Sequence, residues 1–226
     1  MTAPWLVGLD VDGTILLQDE TMSPGVPEAI TRVREAGHVV TIATGRSWMA
    51  TRRYVEELGL TADYVVCSNG AVTMRRDGDD WERWHVETFD PTPVLALLRD
   101  RLPDARYMVE LGSGQRLFTE QLDDWTLDGG RQVDFEELGA LPVSRIVVVS
   151  PGHDEDDFHR LVAGDGRNDI GMFGWARNGG GRAVAMGQAL VEVKDAAGEI
   201  TADVERGGLA AALNTLPAPA QVDAGE

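Results

Sequence analysis

Hydrophobic and polar residues alternate in blocks along the first 70 residues, and these blocks predict a parallel α/β unit. Three short apolar runs, 5–10, 38–44 and 64–70, are typical of buried parallel strands. Two amphipathic segments separate them. The first, 27–37, has a proline at its start and a glycine at its end, and the second is 48–59. Strands this apolar, joined by helices, predict a doubly wound sheet covered on both faces.

The pattern changes at about residue 77 and changes back at about 162. A hairpin over 72–87, a helix over 93–102 and several short strands predict an inserted α+β domain. After it, residues 181–213 return to alternating strand and helix. We therefore predict a core of residues 1–76 and 163–226, interrupted by an inserted domain of residues 77–162.

Composition limits the partners and the cellular compartment. The net charge is −18 with a pI near 4.5, so the long-range field opposes binding to nucleic acid or to an anionic membrane. Cys67 is the single cysteine, which leaves no intrachain disulfide. The N-terminal apolar run is interrupted by aspartates, and no segment has about 20 uninterrupted apolar residues. These features predict a cytoplasmic protein without a signal peptide or membrane span.

The first candidate site follows the first predicted strand. Asp10 ends that strand and Asp12 lies two residues later, followed by Gly13 and Thr14. Ligands of open α/β sheets bind beyond the carboxyl ends of the strands, where these carboxylates are expected. The alternative is an ordinary polar turn, since Asp and Gly are common turn residues.

The next two strands also end in polar residues. A hydroxyl and free backbone N–H groups at a strand-to-helix turn suit a phosphate, although each motif is weak by itself. The candidate phosphate- or substrate-binding residues at these ends are Thr44, Gly45, Arg46, Asn69 and Gly70.

A fourth acidic motif, "GDGRND", occupies 164–169. If its Asp165 and Asp169 converge with Asp10 and Asp12, the four carboxylates repel one another unless a divalent cation lies between them. Mg²⁺ fits best, because it prefers a few carboxylates, waters and a substrate phosphate. The alternative is a surface loop that caps a helix.

The motifs "DVDGT", "TGR", "SNGA" and "GDGRND", in this order, resemble those of the haloacid dehalogenase-like (HAD) phosphatases. The Cof-like branch, whose cap is inserted after the third core strand, is the most similar. The resemblance covers nearly the whole chain. It implies a Rossmann-like doubly wound parallel core with an α+β cap that is shortened here. It further implies a Mg²⁺-dependent phosphatase that acts on a small phosphorylated metabolite such as a sugar phosphate.

The resemblance assigns a role to each motif residue. Asp10 corresponds to the nucleophile that forms an aspartyl-phosphate, and Asp12 to the general acid and base. Thr44 corresponds to the residue that bonds the transferring phosphoryl group. The implied metal site comprises Asp10, Asp12 (through its backbone carbonyl), Asp165 and Asp169, with Asn168 in support.

One family motif has no counterpart. A lysine normally precedes the "GD" strand, but here the predicted cap helix runs directly into "GDGRND", and only Leu161–Ala163 remain for a strand. Compared with the family, roughly 40–50 residues are missing, of which a βα return alone needs a dozen or more. The only lysine, Lys194, follows the motif and is predicted to be a surface residue. Arg160 or Arg167 is a candidate source of positive charge instead.

Three explanations stay open: a natural or cloned deletion, a shortened enzyme that supplies the charge differently, or a sequence from which a segment was omitted. The alternative function is therefore a catalytically impaired phosphate-binding protein, and a third alternative is a phosphomutase. Loss of a core strand would expose a sheet edge, which predicts a homodimer, a strand-exchanged oligomer or reduced stability. The natural substrate cannot be identified from the sequence.

Overall fold

A computed structural model describes residues 4–121, 127, 129–150 and 168–216. The chain divides into two compact units. The first contains Met1–Asn69 and Gly166–Glu226, and the second contains Gly70–Asp165. The predicted division placed the boundaries at 76/77 and 162/163, so the observed units begin and end a few residues away from it.

The first unit has the alternating order of strands and helices that the sequence predicts. Its strands are β1 (Leu6–Leu9), β2 (Val39–Ile42), β3 (Tyr64–Cys67), β10 (Val184–Ala185) and β11 (Glu199–Ile200). Its helices are α1 (Val26–Glu35), α2 (Trp48–Glu57), α4 (Asn168–Asn178), α5 (Val191–Ala197) and α6 (Gly208–Leu213).

Local sequence explains where the first two helices begin. Helix α1 has a proline in its first turn and buries a stripe of small and β-branched residues. Helix α2 begins after Ser47, whose hydroxyl accepts a hydrogen bond from the Ala50 N–H at 3.4 Å. Both helices therefore begin where the sequence pattern predicts, and each buries its apolar face.

The parallel sheet differs in one respect from the sequence prediction. β1 pairs in parallel with β2, β10 pairs in parallel with β11, and a bridge joins Ala43 to Val66 of β3. Central parallel strands are expected to be buried on both faces. In β1, however, Leu6 is 56% exposed and Gly8 is exposed as well. Among the residues that the structure describes, β1 is therefore less covered than a doubly wound arrangement would make it.

The N-terminal and C-terminal parts of the first unit pack against each other. The Ser23 hydroxyl, which is buried, donates to the Val204 carbonyl at 2.5 Å. Helix α1 packs on helix α6, and a Cβ on Gly25 would lie 3.4 Å from the Cβ of Ala210. Residues before Asn69 and after Asn168 therefore build one core.

The second unit is α+β. Its strands are β4 (Val72–Asp77), β5 (Asp80–Val86), β6 (Arg106–Leu111), β7 (Arg116–Phe118), β8 (Arg131–Gln132) and β9 (Val143–Val149), and its helix is α3 (Thr92–Arg101). β4 and β5 form the predicted antiparallel hairpin, and the four-stranded sheet has the order β8-β7-β6-β9. One face of that sheet packs on α3 through Leu95, Leu98 and Leu102. The predicted helix in 151–162 lies outside the described residues.

The opposite face of this sheet carries a buried charge. Glu110 is 1% exposed and accepts a hydrogen bond from Arg83 at 2.6 Å. Arg116 and Arg145 are its register partners on β7 and β9. A carboxylate this deeply buried requires paired cations, which these strands supply.

Within the described ranges, none of the helices combines the length and the apolar character needed to cross a membrane.

Candidate active site

Asp10 and Asp12 leave the carboxyl end of β1 in different environments. Asp10 is half-buried, whereas the Asp12 side chain is 60% exposed. Between them, Val11 is buried and its carbonyl accepts from the Ile15 and Leu16 N–H groups, which fixes the turn. Both carboxylates therefore follow the end of β1. The Asp10 carboxylate is the inner of the two and the Asp12 carboxylate is the outer one.

Asp10 titrates far from its ordinary range. Burial, followed by the negative charge of Asp169, raises the pKa of Asp10 to about 7. A hydrogen bond from the Val11 N–H lowers this pKa, the Asp12 charge raises it by less, and the Arg46 guanidinium lowers it by the smallest amount. A carboxyl group with this pKa is about half protonated at neutral pH unless another cation approaches it.

Asp169 brings the fourth motif into the same place. It lies in the first turn of α4, is half-buried, and its pKa is raised by burial. Its charge acts on Asp10, and both residues line the same cavity. Asp165, Arg160, Arg167 and the side chain of Asn168 lie outside the described residues.

Arg46 is paired with the outer carboxylate. Its Nε lies 3.1 and 3.0 Å from the two oxygens of Asp12, and its Nη2 lies 2.6 Å from one of them. Its Nη1 lies 2.9 Å from Glu20. The Asp12 carboxylate accordingly raises the pKa of the guanidinium. Arg46, predicted to bind phosphate, is here a bidentate clamp on Asp12.

Glu20 and the end of α2 hold this clamp in place. The second carboxylate oxygen of Glu20 accepts from Arg53 at 2.6 Å, and both arginines lie over the ring of the buried Tyr54. Glu20 has φ of 62°, a left-handed conformation that is uncommon outside glycine. Sequence reasoning missed Glu20 and Arg53, since neither stands in a motif and no local pattern marks them.

Thr44, Gly45 and Asn69 form a compact loop beside the clamp. The buried Thr44 hydroxyl accepts from the Arg46 N–H at 3.2 Å, and the Thr44 carbonyl accepts from the Asn69 N–H at 3.0 Å. A Cβ on Gly45 would lie 2.8 Å from the Asn69 Oδ1, so no larger residue fits without movement. Three of the predicted residues are thus brought together. Gly70 begins the second unit and has φ of 94°.

Gln188, which follows β10, links the turn after Asp12 to the backbone at Val204. Gln188 donates from Nε2 to the Gly13 carbonyl at 2.6 Å and accepts at Oε1 from the Val204 N–H at 3.0 Å. Gln188 was not predicted, because a single glutamine after a short apolar run carries no signal in the sequence.

The described acidic side chains do not by themselves form a metal site. Among the residues that the structure describes, no three His, Cys, Asp or Glu side chains converge on one point that could hold an ion. Asp10 and Asp169 are close to each other, and the exposed Asp12 side chain turns to Arg46. The unneutralised charge around Asp10 fits a divalent cation, since such an ion would favour the ionised form of both inner carboxyl groups. Lys194 lies half-buried in α5 and is not among the described residues around the cavity beside Asp10.

Comparison with known proteins gives matches over most of the chain. A sequence profile of haloacid dehalogenase-like hydrolases matches residues 7–104 and 156–213, which is more than half of the 226 residues. The 5-amino-6-(5-phospho-D-ribitylamino)uracil phosphatase YitU of Bacillus subtilis is 36% identical over 99 residues. That match spans 44% of this chain and only 36% of the relative.

A second relative matches over its whole length. The putative phosphatase YkrA of Bacillus subtilis is 25% identical over 254 residues, covering 93% of this chain and 97% of the relative. Because 93% of 226 residues is about 210, about 44 of the aligned positions have no residue in this chain. This number agrees with the roughly 40–50 residues that the sequence analysis predicts to be missing before "GDGRND".

Solved structures match the fold. BT1666 from Bacteroides thetaiotaomicron, a structure described among the phosphatases of the HAD superfamily, gives a TM-score of 0.63 at 23% identity. The match covers 93% of this chain and 94% of that one. The predicted fold class, an α/β core with an inserted α+β cap, is confirmed.

Proposed function

The chain belongs to the haloacid dehalogenase-like hydrolases, and from this premise we propose that it is a Mg²⁺-dependent phosphatase of small phosphorylated metabolites. The observation that carries the proposal is the half-buried Asp10 carboxyl at the end of β1, with Asp12 beyond it and Asp169 beside it. YitU, by its name, acts on a phosphorylated ribityl compound, which supports this substrate class. A sugar phosphate is a representative substrate.

In this proposal Asp10 is the nucleophile. Its carboxylate oxygen attacks phosphorus, the bond from phosphorus to the leaving oxygen breaks, and Asp12 gives that oxygen a proton. Asp12 then takes a proton from a water molecule, whose oxygen attacks the same phosphorus, releases inorganic phosphate and restores Asp10. An inner nucleophile and an outer, solvent-reachable acid and base are what these two steps need.

The residues that would hold Mg²⁺ are Asp10, the main-chain carbonyl of Asp12, Asp165 and Asp169. When bound, the ion supplies positive charge that favours ionised Asp10 and offsets charge on the phosphoryl oxygens. Asn168 supports this group, while Thr44, Gly45, Asn69 and Gly70 provide polar groups for the phosphate. Arg46 holds the Asp12 carboxylate in one orientation through its two-pronged contact.

A second candidate function is phosphate binding with little turnover. The observation that favours it is the missing lysine motif, together with an Arg46 guanidinium that is already engaged by Asp12 and Glu20. Such a protein would bind inorganic phosphate with Mg²⁺ but would release little product.

Hydrolysis of an aryl phosphate tests both candidates. We expect turnover by the wild-type chain with Mg²⁺, loss on chelation, and loss in Asp10→Asn. Equal rates for the wild type and Asp10→Asn would refute the phosphatase. Calorimetric binding of phosphate without turnover would establish the second candidate instead.

A further inference from the structure

Two strand edges in the first unit have no neighbouring strand among the residues that the structure describes. β1 pairs with β2 along one edge, from Leu6 opposite Val39 to Leu9 opposite Ile42. β10 likewise pairs only with β11. Among residues 4–121, 127, 129–150 and 168–216, the remaining edge of each strand forms no ladder. Unpaired edges of this kind are templates for another strand.

Both open edges border one cavity. It has a volume of about 770 Å³, and Leu6–Leu9 and Val184–Met186 are among the residues that line it. Phe173 of α4 and Leu213 of α6 also line it. Its wall is mainly apolar, and the 56% exposure of Leu6 shows that solvent reaches it.

The turns that follow the two strands are tied together beside this cavity. Gly13 follows the end of β1 by four residues, Gln188 follows the end of β10 by three, and the two are hydrogen-bonded at 2.6 Å. The carboxyl ends of β1 and β10 therefore lie at the same end of the gap. A strand between them would be parallel to both.

The volume matches a short strand. Strands lie about 4.8 Å apart, packed layers about 10 Å apart, and each residue rises about 3.3 Å, so one strand residue fills about 160 Å³. The cavity of about 770 Å³ thus accommodates about five residues, against four in β1.

We propose that this cavity is a docking slot for one extended peptide segment of another polypeptide, which adds as a parallel strand between β1 and β10. The two edges supply backbone hydrogen bonds, and the apolar wall selects apolar residues at successive positions. Before "GDGRND" the chain itself has only Leu161–Ala163 as an apolar run, and about 44 positions of YkrA have no counterpart in it.

The occupant of the slot could be a second copy of this chain or a different polypeptide, and net charge favours one of them. Two copies of this chain each carry −18, so a second copy is repelled at long range. An apolar segment flanked by lysine or arginine is attracted by the same field. The occupant we infer is therefore an apolar strand with basic flanks.

A synthetic peptide tests the slot in the full chain. The probe has five β-branched residues between paired lysines, and the control peptide has proline at the centre, which removes a backbone donor. We expect the probe to bind one to one by calorimetry and to slow hydrogen exchange at the amides of β1 and β10 at least tenfold. The proline peptide should do neither.

Two variants of equal charge locate the site. Leu6→Arg changes an exposed residue of the slot and should weaken binding of the probe at least tenfold. Met49→Arg changes a residue of α2 that is 49% exposed and does not line the slot, and should leave binding unchanged.

Three outcomes would overturn the proposal. They are no binding at about millimolar probe, equal binding of the proline peptide, and a dimer whose β1 amides are already protected without peptide. The last outcome would assign the slot to a second copy. No readout depends on phosphatase activity, so this proposal and the proposed function can fail separately.

Discussion

Replacing Asp10 by Asn should stabilise the metal-free protein while it abolishes turnover. The pKa of Asp10 is about 7 in the folded chain and 3.8 when unperturbed. A difference of about three units corresponds to roughly 4 kcal/mol, at about 1.4 kcal/mol per unit. Burial is the largest cause of the shift, so a neutral amide of the same shape avoids most of that cost.

The sign of the pH dependence follows from the direction of the shift. Because the folded pKa lies above the unfolded one, the folded state binds the proton more tightly. Stability is therefore lost as pH rises from about 4 to about 7, and the full penalty remains above that range. Asp10→Asn should raise the free energy of unfolding by about 4 kcal/mol at pH 8.5 and by about 2 kcal/mol at pH 5.

Thermal melting in the presence of a chelator measures this effect. At about 2–4 °C per kcal/mol for a domain of this size, the variant should melt roughly 10 °C higher at pH 8.5. Asp19→Asn is the control, because Asp19 is exposed and hydrogen bonds from Thr21 lower its pKa, so removing it gives no stabilisation. Equal melting temperatures for the wild type and Asp10→Asn at pH 8.5, or a gain that does not change with pH, would refute the reasoning.

Three further substitutions, two of them paired with a control substitution, separate the roles of other groups. Glu20→Gln removes one charged partner of the Asp12 clamp and should lower kcat about fivefold without changing KM; an unchanged kcat would remove Glu20 from the site. Gly45→Ala should lower kcat/KM at least tenfold by a clash at 2.8 Å, whereas Gly171→Ala, a helix position with open space, should keep activity and gain about 0.5–1 kcal/mol in unfolding experiments. Glu110→Gln should lose about 3–5 kcal/mol in denaturant unfolding because it leaves buried guanidinium groups without their carboxylate. The exposed Glu82→Gln should lose under about 1 kcal/mol, and similar losses for both would contradict that account.

The sequence predicted the site to the extent that its residues stand at strand ends. Asp10, Thr44 and Asn69 each follow a short apolar strand, and parallel strands place such positions at one edge of a sheet. Asp169 was predicted for a different reason, since it stands in the acidic motif "GDGRND". Positions of this kind are encoded within a few neighbouring residues.

The contacts that hold the site together could not be predicted in this way. Glu20 reaches Arg46 and Arg53 from a loop 26 and 33 residues away, in a left-handed conformation that favours glycine over glutamate. Gln188 reaches Gly13 across 175 residues. Such pairs depend on tertiary packing, and no periodicity within either segment records them. The apolar run of β1 indicates a buried strand and does not report the exposure of Leu6; an exposed sheet edge was predicted only from the segment that the chain lacks before "GDGRND".

The balance of charge explains why a divalent ion suits this site. Within the described part of the chain, Asp12 is matched by Arg46, and Glu20 is matched by Arg53 with a further contact to Arg46. Asp10 and Asp169 have no such partner, and each has a raised pKa because the site is partly buried. Protonating both would leave no nucleophile, while ionising both leaves two negative charges in a region of low polarity. Mg²⁺ carries two positive charges and accepts carboxylate oxygens, so it permits both groups to ionise together. Its affinity should accordingly rise with pH up to about 7, and calorimetry in buffers of different ionisation enthalpy should detect proton release on binding.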